Sequence, residues 1–202
     1  MKLGPKFKIA KRLGAPIFEK TQTQKFALSQ ARGGRKTSRR PGAMSDYKKQ
    51  LIEKQKMRFS YGISEKQLRK YVDESLEKSQ LPISHLFMRL ETRLDNVAYR
   101  LGLAKTRQMA RQMVSHGHIT VNGKKFTIPS HKVRVGDIIS VREGSKSSRI
   151  FENFAENHES AGVPSWLSFD AKKLTGEITG LPTYEPTETL FDPEQVFEYY
   201  SR

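Results

Sequence analysis

The sequence contains no cysteine, which excludes disulfide bonds and every metal site built on thiolate ligands. Long apolar runs are missing too: the longest stretches, such as LFM and VAY, have three residues, whereas a membrane-spanning helix needs roughly twenty. The basic N-terminal stretch MKLGPKFKIAKRLG has no apolar core of the length found in secretory signals. We therefore expect a cytoplasmic protein with no membrane partner.

Sequence signatures of catalysis are also missing. The chain has no phosphate-binding glycine loop, no nucleophile elbow and no His-Glu-x-x-His zinc motif. His116 and His118 are two residues apart and His131 follows, but no carboxylate stands at ligand spacing. Polar contacts of these histidines to a phosphate or a base are favoured over a metal site. We expect a protein that is not an enzyme and has no cofactor.

The chain is rich in positive charge. Its 202 residues, enough for one or two domains, include 37 Lys and Arg against 21 Asp and Glu, giving a net charge of +16. Residues 1–45 hold 12 basic and 1 acidic residue, residues 46–150 hold 22 and 10, and residues 151–202 hold 3 and 10. The first 150 residues are predicted to face a polyanion, with nucleic acid favoured over membrane. The acidic C-terminal part should face away or dock on basic protein surface.

The first 45 residues mix Gly, Pro, Lys and Arg with little periodicity, as in ARGGRKTSRRPGAMS. Such a composition is typical of a basic arm that orders only on its partner; a flexible spacer is the alternative. The candidate RNA-binding residues of this arm are Arg35, Lys36, Arg39 and Arg40.

Two helices are predicted after the arm. Ser45 should cap the first, which Gly62 ends after Tyr61. Ser64 should begin the second, with Gln67 completing a capping box. The apolar stripe of the second helix is predicted at Leu68, Tyr71, Val72 and Leu76. The candidate RNA-binding residues on the surface of this pair are Lys48, Lys49, Lys54, Arg58 and Arg69.

Two further helices follow. One is predicted from Ser84 to Gly102, with Leu90, Leu94, Val97 and Leu101 at helical spacing and Arg89, Arg93, Asn96 and Arg100 on another face. Thr106 should cap the other, from Arg107 to about Ser115, before Gly117. It is predicted to bury Ala110, Met113 and Val114 and to leave Arg107 and Arg111 one turn apart. An ordinary solvated helix face is the alternative for this arginine pair.

Short strands fill the next part of the chain. Asn122-Gly123 predicts a tight hairpin in which Val121 faces Lys124, and the core side of the hairpin is predicted to carry Ile119, Val121, Phe126 and Ile128. VRVGDIISV, residues 133–141, predicts a strand with a bulge or a turn at Gly-Asp. SWLSFD and GEITGL predict two more strands. Asp192 should cap a final helix that docks through Val196, Phe197, Tyr199 and Tyr200.

The residues around the hairpin suggest an RNA-binding surface. A helix packed on a hairpin can hold its cations and histidines over one concave surface, which lowers the ordering cost of binding. No helix shows the polar base-reading face expected for the major groove of DNA, whereas structured RNA is recognised through shape, phosphates and 2′-hydroxyls. We therefore favour structured RNA as the partner.

One long stretch closely resembles the RNA-binding module of the ribosomal protein S-four family: RLDNVAYRLGLAKTRQMARQMVSHGHITVNGKKFTIPSHKVRVGDIISV. SDYKKQLIEKQKMRFSYGISEKQLRKYV and the ending FEYYSR resemble the bacterial type of that family outside the module. The module also occurs in some pseudouridine synthases, a tyrosyl-tRNA synthetase and a small heat-shock protein. The flanks here match the ribosomal family and leave no space for a catalytic domain. An RNA-modifying enzyme and a free-standing module acting on stalled ribosomes or transfer RNA are the alternatives.

The resemblance implies an α+β fold, with a helical domain (46–88 with 185–202), an inserted S-four-type RNA-binding domain (89–184, core 89–150) and a basic arm (1–45). It implies primary binding to the 5′ domain of small-subunit ribosomal RNA early in assembly, contact with protein five, a role in decoding accuracy and, in some members, repression of the operon through its messenger. Some relatives bind zinc through N-terminal cysteines, whereas this chain has Phe7 and Phe26 in the similar contexts and should pack its arm without zinc. By the resemblance to the module, the residues expected to bind RNA are Arg107, Arg111, Gln112, His116, His118, Asn122, Lys124 and Lys125. For Asn122 the alternative is a role in the turn alone.

Overall fold

A computed structural model describes residues 3–33, 44–148, 150–151 and 162–202. Contacts divide the chain into two compact units, Met1–Ile83 with Glu185–Arg202, and Ser84–Tyr184. The first unit is helical, and the second combines helices with an antiparallel sheet. The predicted α+β fold class is therefore confirmed. None of the helices in the described ranges combines the length and apolar character that a membrane crossing requires.

The beginning of the chain is folded within the first unit. Helix α1 (Lys6–Leu13) and helix α2 (Gln24–Gly33) flank a short 3₁₀ helix (Glu19–Thr21). They share a small core whose buried members are Ala10, Leu13, Ala15, Ile17, Phe18 and Phe26. The prediction of an arm that orders only on its partner is wrong for residues 3–33, because a few apolar side chains spaced along a polar sequence suffice to pack two short helices. Residues 34–43 lie outside the described residues.

The remaining helices of the first unit are α3 (Asp46–Tyr61), α4 (Glu65–Lys78) and the C-terminal helix, here α9 (Pro193–Tyr200). Gly62 ends α3 in the left-handed conformation (φ 63°), as predicted. The side chain of Asp192 accepts a hydrogen bond from the Glu194 N–H and caps α9, which also confirms the prediction. Val196 is fully buried where α9 packs on α3. The prediction that the C-terminal segment docks on protein surface is thus confirmed for α9.

Three local predictions for α3 and α4 are wrong. Ser45 precedes α3 but makes no capping hydrogen bond through its side chain. Ser64 caps α4 by accepting from the Gln67 N–H, but the Gln67 amide donates to the Tyr71 hydroxyl instead of completing the capping box. The Leu76 side chain is exposed, and Ser75 is buried in its place because its hydroxyl donates to the carbonyl of Tyr71.

The second unit packs helices against a five-stranded antiparallel sheet. Its helices are α5 (Pro82–Glu91, which begins at the unit boundary), α6 (Leu94–Arg100), α7 (Arg107–Ser115) and the single turn α8 (Glu143–Lys146). Its strands are β1 (Ile119–Val121), β2 (Lys124–Lys125), β3 (Ile138–Val141), β4 (Leu167–Asp170) and β5 (Thr175–Ile178), in the order β2-β1-β3-β5-β4. β4 and β5 confirm the two strands predicted from SWLSFD and GEITGL. The core of this unit joins α6 and α7 to the inner face of the sheet.

The single helix predicted from Ser84 to Gly102 is in fact α5 and α6, separated at Thr92 and Arg93. The N–H groups of Leu94 and Asp95 donate to the carbonyl oxygens of His131 and Pro129, and Arg93 forms an isolated bridge with Lys132. These contacts satisfy the first N–H groups of α6 from outside the helix, so a new helix begins there. The predicted apolar stripe is correct, since Leu90, Leu94, Val97 and Leu101 are all fully buried.

The hairpin has the predicted register, with Val121 opposite Lys124. Ile119 and Val121 are buried and Phe126 packs on the core, but Ile128 is 60% exposed. The prediction for Ile128 is wrong because β2 ends at Lys125 and the chain then leaves the sheet. Only the second half of the predicted strand 133–141 forms β3, and the Gly-Asp break is a turn in which Gly136 has φ 87°.

Candidate nucleic-acid interface

Helix α7 presents Arg107 and Arg111 at the edge of the core of the second unit. The Thr106 hydroxyl accepts from the Met109 N–H and caps the helix, as predicted. The predicted inner face is also correct, since Ala110, Met113 and Val114 are buried. The two arginines consequently lie half-exposed on the other side of the helix, with their positions fixed by the packing of α7.

A buried carboxylate of α6 holds Arg111. The Arg111 guanidinium donates to Asp95 Oδ2 over 3.1 Å. The same carboxylate receives two hydrogen bonds from Arg93, from Nε over 3.0 Å and from Nη2 over 2.6 Å, and the Arg93 side chain is completely buried. Asp95 therefore neutralises one buried arginine and at the same time fixes the direction of one that reaches the surface.

Arg107 is held by a second chain of polar contacts. Its Nε donates to Asn96 Oδ1 over 2.8 Å, and its guanidinium lies 4.4 Å from the centroid of the Tyr99 ring. The Asn96 amide donates to the buried carboxylate of Glu91, which also receives two hydrogen bonds from Arg100. The Arg107 side chain is thus oriented by an amide and an aromatic face.

The sequence did not reveal the contacts by which Asp95, Asn96 and Glu91 orient the candidate RNA-binding arginines. Arg93, Asn96 and Arg100 were predicted to share a helix face, but in the structure their side chains bond to Asp95 and Glu91 of the same segment. The available signal was the presence of two carboxylates, Glu91 and Asp95, within a strongly basic part of the chain. Buried carboxylates there require paired cations.

The hairpin places Lys124 and Lys125 in solvent beyond the turn. The Lys125 side chain lies across Gly117: a Cβ added to this glycine would stand only 2.1 Å from Lys125 Cε. Gly117 also has φ 73°, which L-amino acids rarely adopt. Glycine is therefore favoured at position 117 by the left-handed backbone that ends α7, whereas the flexible Lys125 side chain could move away from a larger residue.

Asn122 serves the hairpin itself. It occupies a positive φ of 51°, as the first turn residue of a tight hairpin requires. Its amide donates to Asp137 Oδ1 over 2.9 Å, and its Oδ1 accepts from the Ile138 N–H over 2.9 Å. The hydrogen-bond donor and the acceptor of the Asn122 side chain thus both join the hairpin turn to the turn before β3.

The histidines lie between the helix and the hairpin. His116 follows the last residue of α7 and is exposed, as is Gln112 one turn earlier. The His118 ring centroid is 6.1 Å from that of His116, and its Nδ1 lies 3.0 Å from the Ser145 hydroxyl. His131 instead contacts Phe126, with 4.4 Å between centroids. Within the part of the chain that the structure describes, no three His, Cys, Asp or Glu side chains form a group able to hold a metal ion.

The candidate cations of the helical unit differ in exposure. Lys48, Lys49 and Arg69 are exposed, although Lys49 pairs with Asp46 and Arg69 lies 4.0 Å from Asp73. Arg58 is half-buried against Phe59 and Glu65. The four arm residues Arg35, Lys36, Arg39 and Arg40 lie outside the described residues.

Lys54 is not on the surface, which corrects the prediction. It lies on the face of α3 covered by α9, where its ammonium group donates to Glu65 over 2.7 Å and stands 4.3 Å from the Tyr199 ring centroid. The Tyr200 hydroxyl also donates to Glu65. Burial favours a higher pKa of Glu65, but the hydrogen bonds from Lys54 and Tyr200 and the nearby positive charges outweigh it and lower that pKa. Lys54 therefore has a structural role, which the spacing of the sequence could not reveal.

Comparison with known proteins gives a consistent result. Residues 2–91 match the family model of the ribosomal protein S4/S9 N-terminal domain, and residues 92–139 match that of the S4 domain. A small ribosomal subunit protein uS4 of Akkermansia muciniphila is 41% identical over 98% of each chain. Its namesake in Roseiflexus castenholzii is 42% identical over 99% of this chain and 98% of its own, and the one in Syntrophomonas wolfei is 48% identical over 78% and 76%.

The helices packed on a small antiparallel sheet, with half-exposed arginines on α7 and exposed lysines on the hairpin, define an S4-domain protein. The chain belongs to the uS4 family of small ribosomal subunit proteins. This membership confirms the resemblance stated above. It also confirms the predictions that the protein is structural rather than enzymatic and that it is located in the cytoplasm, within the small ribosomal subunit.

Proposed function

We propose that this protein is a primary binder of small-subunit ribosomal RNA, recognises the 5′ domain and acts early in subunit assembly. The observation that carries the proposal is the orientation of Arg107 and Arg111 by the buried groups Asn96 and Asp95. Guanidinium groups that are already fixed lose little conformational entropy when they bind phosphate.

The mechanism combines charge with a fixed geometry. Lysine and arginine side chains displace counterions from the phosphates of a folded RNA, and α7 and the hairpin hold those side chains at set positions. Specificity then comes from the shape of an RNA junction that can meet all the cations at once. No covalent bond is made or broken.

The proposed RNA contacts fall in three groups. In the second unit they are Arg107, Arg111, Gln112, His116, His118, Lys124 and Lys125, with Asn122 acting through the turn. In the helical unit they are Lys48, Lys49, Arg58 and Arg69, and Lys54 is withdrawn because its ammonium group is buried against Glu65. The basic composition of residues 1–45 supports Arg35, Lys36, Arg39 and Arg40 in the arm. The RNA-binding domain is proposed to span residues 89–184, with residues 46–88 and 185–202 as a helical domain.

Further roles are proposed from the family resemblance. These are contact with protein five of the small subunit, an influence on decoding accuracy, and repression of the protein's own operon through binding to its messenger RNA. Messenger RNA bound through the same cationic surface should compete with ribosomal RNA.

Chemical footprinting tests the central proposal. The 5′-domain RNA is probed with and without the full chain, and the expected result is a compact set of protected nucleotides around a folded junction. Protection should weaken when Arg107→Ala and Arg111→Ala are combined. An unchanged reactivity pattern at saturating protein would refute the proposal.

A further inference from the structure

The N-terminal helices of the first unit form an open groove of about 500 Å³. Phe7, Lys8 and Lys11 come from α1, Lys20 comes from the 3₁₀ helix, and Lys25 and Phe26 come from α2. All six residues lie in the part of the chain that was predicted to be a basic arm ordered only on its partner. We call them the lysine groove.

The charge of the lysine groove is uncompensated. None of its four lysines forms an ion pair with a carboxylate in the described ranges, whereas six other cations of the same unit do: Lys49, Lys54, Lys56, Arg58, Lys78 and, at the 4.0 Å limit, Arg69. Lys8 and Lys11 are also three residues apart on one helix, a spacing at which like charges repel. An arrangement of this kind is relieved when a polyanion supplies the missing negative charge.

The groove also contains an exposed aromatic ring. The Phe7 side chain is 49% exposed, and its centroid lies 6.1 Å from that of Phe26, which is buried in the core of the N-terminal helices. Phe26 therefore fixes Phe7 from one side and leaves part of its surface open. An exposed ring among lysines suits an unpaired nucleotide, because the ring can stack on a base while the lysines contact the neighbouring phosphates.

We propose that the lysine groove binds an unpaired, phosphate-flanked nucleotide of RNA, with the base against Phe7 and the phosphates among Lys8, Lys11, Lys20 and Lys25. The inference rests on the proposed function and adds a site for one unpaired nucleotide to the RNA contacts proposed for the first unit. An acidic peptide would satisfy the lysines but has no base to stack on the Phe7 ring, so the combination favours RNA.

The test measures the affinity of the full chain for 5′-domain RNA over a series of salt concentrations. The lysine variant combines Lys8→Gln, Lys11→Gln, Lys20→Gln and Lys25→Gln; its control removes the same charge with Lys66→Gln, Lys70→Gln, Lys172→Gln and Lys173→Gln. In the lysine variant, the slope of log affinity against log salt concentration should be less steep by about 3, because each phosphate contact with a single strand contributes about 0.7 to it. The control substitutions should change this slope much less.

The aromatic part is tested separately. Phe7→Leu keeps an apolar side chain beside Phe26 but removes the stacking face, and should weaken binding about five- to hundredfold. Phe7→Tyr keeps the ring and should bind like the wild-type protein. Circular dichroism of each variant verifies that the helices are retained.

Three results would overturn the inference. If the wild-type protein binds the RNA and the lysine variant and Phe7→Leu both keep its affinity, the lysine groove is not an RNA site. The proposed function would remain intact in that case. Normal RNA affinity of the lysine variant combined with its loss from reconstituted small subunits would indicate a protein partner instead. Failure of the wild-type chain to bind the RNA would reject the proposed function and this inference together.

Discussion

The guanidinium of Arg111 lies 3.1 Å from the carboxylate of Asp95, which is the carboxylate that neutralises the completely buried Arg93. One acidic side chain of α6 thus connects the interior of the second unit to the surface that we propose binds RNA. Stability of the fold and orientation of the binding residue consequently depend on the same group.

Replacement of Asp95 by Asn is expected to destabilise the protein strongly. It removes the negative charge that pairs with the buried Arg93 guanidinium, and breaking a buried ion pair costs about 3–5 kcal/mol. Chemical denaturation measures the free energy of unfolding. The matched control Asp73→Asn removes an exposed carboxylate 4.0 Å from Arg69 and should cost less than about 1 kcal/mol. Equal losses in the two variants would contradict the role given to Asp95.

Combined Arg107→Ala and Arg111→Ala should weaken RNA binding without unfolding the protein. Asp95 keeps Arg93 as its partner in this variant, so the interior stays paired. The slope of log affinity against log salt concentration should become less steep by about 2, which is about 1 for each lost phosphate contact. Lys172→Ala with Lys173→Ala removes the same charge from the turn between β4 and β5 as a control. Unchanged affinity of the arginine variant would remove this pair from the site.

Asn122 is expected to act through the turn alone. Asn122→Gly keeps the positive φ but loses the bonds to Asp137 and Ile138, at about 0.5–1.5 kcal/mol each. Asn122→Ala loses the same bonds and also strains the backbone, so it should be less stable than the glycine variant by about 1 kcal/mol. RNA affinity of the folded Asn122→Gly protein should stay within about twofold of wild type. A tenfold loss would instead indicate direct contact between the Asn122 amide and RNA.

The carboxylate of Glu65 should make stability depend on pH in the acid range. Its pKa is held below the ordinary value of 4.5 in the folded protein, so folding is favoured while Glu65 is ionised. The stability difference between wild type and Glu65→Gln should therefore be full at neutral pH and disappear as the pH falls below 4.5, through the lowered pKa. Denaturation curves measured at successive pH values test this. A difference that grows on acidification would show that the pKa of Glu65 is raised instead.

The sequence predicted those features that depend on a few neighbouring residues. Gly62 and Gly117 end their helices because no other residue adopts positive φ so easily, and Thr106 and Asp192 cap theirs through bonds to N–H groups two or three residues away. The arginine pair on α7 followed in the same way from helical spacing. Its position on the side of α7 opposite the buried Ala110, Met113 and Val114 is confirmed, while its contact with RNA stays a prediction.

Features that depend on distant residues could not be predicted. The break between α5 and α6 arises because the Leu94 N–H donates to the carbonyl of His131, which is far along the chain. The burial of Lys54 requires Glu65 on α4 and Tyr199 on α9 to meet it. The N-terminal helices pack through Phe26 and a few scattered apolar residues that give no clear periodic signal.

The most direct test of the account is the affinity of the full chain for 5′-domain ribosomal RNA at increasing salt. If six to ten phosphates are contacted, affinity should fall by about 10³ to 10⁵ between 50 and 200 mM salt. A nearly flat response over that range, or no binding at all, would contradict a cationic surface that binds folded ribosomal RNA.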